Sequence, residues 1–149
     1  MDIATNTTET VADLNTFTYS IVNLDEGSTL NLGNNGDGRL DPLSPITINF
    51  NGANSKIYGG STNNGLNNIN VNVAKTGAFY LPSGYSNGTL YLKSLSLQDG
   101  SSMSFVGGCS LEIQNLISEA NTTLVFGTNN QTTDELSVKF NNQINEDTL

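Results

Sequence analysis

Asn35, Asp37 and Asp41 come nearest, in residue type and spacing, to a set that would hold a metal ion. They lie in the run Asn35-Gly36-Asp37-Gly38-Arg39-Leu40-Asp41. Oxygen ligands alternate there before a glycine and an aliphatic residue, the order found in the middle of a calcium-binding loop. With Asp37 and Gly38 at the centre of such a loop, Gly33 stands where the first aspartate is needed and Ser44 where a bidentate glutamate is needed. These departures leave a weak calcium candidate in what otherwise reads as a turn. Other metal chemistry lacks ligands: the chain has no histidine and one cysteine, so zinc, copper and iron sites are not expected. The same inventory removes nucleophilic triads and imidazole acid–base catalysis.

Glycoside hydrolysis needs only two carboxylates, and Asp99, Glu112 and Glu119 are the candidates near turns or on strands. The pairs Asp25-Glu26, Asp134-Glu135 and Glu146-Asp147 are sequence neighbours, and neighbours on a strand face opposite sides. The chain also has no tryptophan to stack a sugar. The expectation is a protein with neither catalytic activity nor a cofactor. A candidate contact surface comes instead from Tyr80, Tyr85 and Tyr91, which fall outside the inward apolar series. Amphipathic rings of this kind suit glycan or protein contacts.

These residues need a scaffold, and composition narrows its class. Hydrophobic residues make up 36% of the 149 and charged ones only 13%, so uncharged Asn, Ser, Thr and Gly must supply most of the surface. All four are poor in helix interiors. The net charge of −9 repels phosphate backbones and anionic lipid, so neither nucleic acid nor a membrane is an expected partner. Cys109, alone in an alternating run, reads as a small buried apolar residue. The first residues lack the basic and apolar regions of a signal peptide, and no run reaches transmembrane length. Synthesis in the cytoplasm is therefore expected, with an extracellular or cell-surface location as the alternative.

The scaffold itself is written as a repeat. Alternating apolar runs flank short polar turns in SLSLQDGSSMSF and again in LEIQNLISEANTTLVF, and three upstream stretches follow the same grammar. The residues entering each turn, Leu24, Phe50, Val73, Leu97 and Ile117, are separated by 26, 23, 24 and 20 residues. Such a period predicts a short β-solenoid of about five coils over residues 17–140. Residues 1–16 read as an extended or disordered arm and 141–149 as a frayed tail, and the first strand is expected to carry Phe17, Tyr19 and Ile21 inward. Asp99-Gly100, Asn51-Gly52 and Asn87-Gly88 are also hairpin dipeptides, which keeps an antiparallel sandwich or jelly roll as the alternative.

The text of residues 90–127, LYLKSLSLQDGSSMSFVGGCSLEIQNLISEANTTLVF with its flanks, resembles coils of β-helical proteins: bacteriophage tailspikes and fibres, capsid-attached virion proteins and bacterial adhesins. That resemblance implies a homotrimeric virion structural protein, a capsid decoration or short fibre held to other virion proteins of capsid or tail through residues 1–16. Its alternative is a module that binds a host-surface glycan or receptor. It carries over no site residues.

Overall fold

A computed structural model describes residues 1–11, 19–33, 42, 44–59, 68–81, 89–107, 110–127 and 137–145. These form an all-β solenoid of two parallel sheets. One sheet contains β1 (Asp2–Ile3), β3 (Ile21–Leu24), β5 (Ile46–Phe50), β7 (Ile69–Val73), β9 (Thr89–Leu97), β11 (Ser110–Ser118) and β13 (Ser137–Asn145), in that order. The other contains β2 (Thr8–Val11), β4 (Thr29–Leu32), β6 (Ser55–Tyr58), β8 (Thr76–Tyr80), β10 (Ser102–Val106) and β12 (Thr123–Gly127). Each coil from β1–β2 to β11–β12 gives one strand to each sheet, and every strand inside a sheet pairs with the coils before and after it rather than with its neighbour in sequence.

The sandwich alternative fails at Asp99-Gly100. β9 and β10 flank that turn, but β9 pairs with β7 and β11, and β10 with β8 and β12. The turn is a bend between sheets. Five of the six bends from the first sheet to the second span four residues, and Ala74–Lys75 spans two. Asn6, Gly27, Gly100 and Asn121 are the third residue of their bends and Asn54 the fourth of its own, all with φ between 55 and 73°. Asn and Gly enter this left-handed region at the lowest cost. The bends also stack: the N–H of Asn6 donates to Glu26 O (2.9 Å), Gly27 to Ala53 O (2.9 Å) and Gly100 to Ala120 O (3.0 Å). At the opposite corner, connections range from three residues (107–109) to thirteen (33–45).

Alternation sends one side chain in two to the interior, where Val, Ile, Leu, Met and Phe fill a single core. Along the second sheet, Leu30, Ile57, Phe79, Phe105 and Phe126 lie in register, one per coil. Phe79 stacks on Phe105 at 5.7 Å and meets Phe50 edge-on at 5.8 Å. Outside, an amide row climbs the first sheet. Asn72 Nδ2 donates to Asn49 Oδ1 (2.9 Å), Asn49 Nδ2 to Asn23 Oδ1 (2.8 Å) and Asn23 Nδ2 to Asp2 Oδ1 (2.7 Å). Each such bond contributes about 1 kcal/mol, in place of the disulfides the chain cannot form internally.

Three expectations need correction. The N-terminal arm is largely part of the stack: β1 and β2 place Asp2–Val11 on the first coil, with Ile3 buried. The C-terminal tail likewise begins inside β13, which runs to Asn145. The five coils counted from Leu24 to Ile117 are thus joined by β1 and β2 at one end and by β13 at the other. Finally, β3 turns Val22 and Leu24 inward while Tyr19 and Ile21 are about half exposed, a slip of one residue that exchanges the two faces.

Candidate functional site

The outer face of the second sheet carries the site the geometry assembles best. Registry aligns Lys56 with Ala78 and Ser104, and Tyr58 with Tyr80 and Val106. Lys56 on β6 therefore stands beside small side chains on β8 and β10. The result is a depression of about 290 Å³ lined by residues including Lys56, Thr76, Ala78, Tyr80, Ser102 and Ser104. Ala78 and the two serines form its floor because each carries only one side-chain heavy atom or two. Tyr80 stacks on Tyr58 with ring centres 4.7 Å apart and planes 13° apart, which fixes one face of its ring and leaves the other toward the next coil.

The floor and rim are polar but uncommitted. Thr76 Oγ1 accepts from the Asn54 N–H at 2.7 Å. Among the described residues, Lys56 Nζ, Tyr80 Oη, Ser102 Oγ and Ser104 Oγ make no hydrogen bond or ion pair. One cation, three hydroxyls and a braced ring face in a shallow open trough suit a neutral or anionic polyhydroxylated ligand. No family model, curated protein or solved structure matches the chain. The depression is accordingly read from its own residues.

The tyrosine surface expected from sequence is divided by the fold. Tyr80 lies on β8 of the second sheet and Tyr91 on β9 of the first, so the two face different sides of the solenoid. Tyr85 lies outside the described residues. Tyr58, four residues beyond Asn54 in β6, is the ring that Tyr80 meets instead. Parallel registry across a gap of 22 residues brings them together, and the repeat step was the signal that could have paired them.

The carboxylates also separate into structural roles. Glu119 Oε2 accepts from the Asp99 N–H (2.8 Å), and Asp99 Oδ1 accepts from Asn121 Nδ2 (3.2 Å), so both help stack one bend on the next. Glu112 stands on the first sheet, with Lys139 Nζ 3.6 Å away and Asn141 Nδ2 donating at 3.0 Å. No group of three metal-binding side chains occurs among the described residues. Asn35, Asp37 and Asp41, the calcium candidate, and Cys109 lie outside them.

Proposed function

We propose that this chain is a non-enzymatic structural protein of a virion, a capsid decoration or short fibre. The observation that carries this reading is the unbroken internal column joined to the external amide row. Together they give a rod held by repeated side-chain registry, suited to passive mechanical service. Candidate carboxylates serving as bend and ladder partners support a non-catalytic role. Because β1 and β2 build Asp2–Val11 into the rod, attachment falls to a face or an end of the solenoid rather than to a free N-terminal arm. An epitope-tagged chain, expressed in its source cells, should sediment with nuclease-treated particles through a density gradient. Recovery in the soluble fraction alone would overturn the proposal.

The depression favours a second reading, a module that binds a host-surface glycan. Its ligand would lay an apolar sugar face on Tyr80 and direct hydroxyls toward Lys56, Ser102 and Ser104. On a glycan array, Tyr80→Ala should weaken binding at least about tenfold, equivalent to ~1.4 kcal/mol. Tyr91→Ala, on the other sheet, should leave it unchanged. Equal losses in both variants, or no glycan bound by the parent chain, would remove this reading.

A further inference from the structure

The two ends of the solenoid differ, and the difference identifies a partner. At the N-terminal end the inward column of the second sheet begins with Glu9, in register with Leu30. The amide row of the first sheet begins with Asp2, and β1 offers an edge of only two residues. Charges and a short edge of this kind oppose the addition of another strand. The other end has a longer edge that carries a single charge, Lys139. β13 is nine residues long, pairs with β11 on one side, and closes the sheet order with no described strand beyond it. Beside it, the phenylalanine column ends at Phe126, which is 40% exposed although Phe105 below it is fully buried. Val125 and Ile144 are also exposed.

We infer that this C-terminal end is an interface between two copies of the chain, joined tail to tail about a two-fold axis. Three observations select that occupant. First, head-to-tail stacking would set Glu9 of one copy over Phe126 of the next, burying an unpaired carboxylate on an apolar column. Second, β13 carries one charge, Lys139, already beside Glu112, in a chain of net charge −9. The edge strand itself therefore sets no carboxylate against its copy. Third, Asn142 Nδ2 donates to Asn115 Oδ1 (3.3 Å), which leaves the Asn142 side-chain oxygen at the open end of a second outer row, in register with Asn115, Ser94 and Asn70.

Two β13 edges related by a two-fold axis run antiparallel, so each can supply the other's unused backbone donors and acceptors. Nine residues span ~30 Å, and two sheets with their outer side chains are ~20 Å across. The end face is thus ~600 Å² per copy, which reaches the lower bound for a specific dimer. The inference needs no virion: it concerns the purified chain alone, and particle sedimentation tests the other proposal separately.

Sedimentation equilibrium of the 149-residue chain should show a monomer–dimer equilibrium built on 15.8 kDa. Val125→Glu and Ile144→Glu, both at exposed positions, should each raise the dimer dissociation constant at least about tenfold. Their circular dichroism and thermal midpoints should remain those of the parent. Asp2→Lys, at the opposite end, should leave the constant unchanged. A monomer at all concentrations, a closed trimer, or open-ended polymers would each overturn the tail-to-tail interface, as would a dimer indifferent to both glutamate variants.

Discussion

Phe79→Ala should cost about 3–5 kcal/mol of folding stability, measured as a shift of the urea midpoint at constant slope. The ring is fully buried and lies between Phe50 and Phe105, so truncation opens a void at mid-height of the column. Strand registry prevents the coils above and below from closing it, because each is held to its neighbours by backbone bonds along a whole strand. A domain of ordinary stability has about 5–15 kcal/mol in total, so the loss takes a large share. Phe126→Ala tests the same column where it ends. With 40% of its surface already in water, that ring should cost clearly less, about three fifths as much by buried area. Equal costs at the two positions would mean that the column is not continuous.

Gly52→Ala should be the second severe substitution, and backbone conformation is not the reason. A Cβ at Gly52 would collide with the main chain of Asp25 and Glu26 in the bend of the preceding coil. Main chain cannot rotate aside, so the bends must separate. Separation strains the bonds from the Asn51 N–H (2.9 Å) and Gly52 N–H (3.2 Å) to Leu24 O, and from the Gly27 N–H to Ala53 O (2.9 Å). The expected loss is about 3 kcal/mol, read from the thermal midpoint or urea curve. Gly100 provides the contrast. Nothing lies within 4 Å of a Cβ there, but its φ is +73°. Gly100→Ala should therefore cost only ~1–2 kcal/mol, and Gly100→Asn less, since Asn6 and Asn121 hold the equivalent place in their bends.

The solenoid was legible in the sequence because its core residues recur with the coil. Leu24, Phe50, Val73 and Leu97 do stand in one register. The last marker does not: Leu97 pairs with Ser118, and Ile117 with Ser96 on the outside. Strict alternation from Leu111 and Ile113 would carry Ile117 inward. Yet β9, β11 and β13 share a break in pairing at Lys93, Gln114 and Asn141. Both Lys93 and Ser94 face out, after which Leu95 and Leu97 resume the core; β11 shifts phase in the same way. The bend belongs to the stack, where the Asn115 amide donates to the Lys93 carbonyl (3.1 Å), and no single strand declares it.

The first strand was misread for a related reason. Phe17, Tyr19 and Ile21 make the more apolar alternation, but Val22 and Leu24 have neighbours to cover them in β5. At the site, sequence singled out Tyr80 without its partner. Apolar and aromatic residues announce which face they prefer, whereas a surface trough depends on small residues two coils away. Ala78, Ser102 and Ser104 carry no signal of their own until registry sets them beside Lys56 and Tyr80.

The unequal corners have a consequence for how such a chain can change. Connections from the first sheet to the second are held to four residues or two, because each bend is a template for the one stacked upon it. Connections back range from three residues to thirteen without disturbing the pairing of the strands they join. Changes of length are therefore narrowly limited along one seam of the rod and widely tolerated along the other. Foreign peptides grafted into successive return connections would leave the body as a single file, rooted about one strand spacing, ~4.8 Å, apart. The rod would then act as a ruler for arranging short sequences at fixed separation.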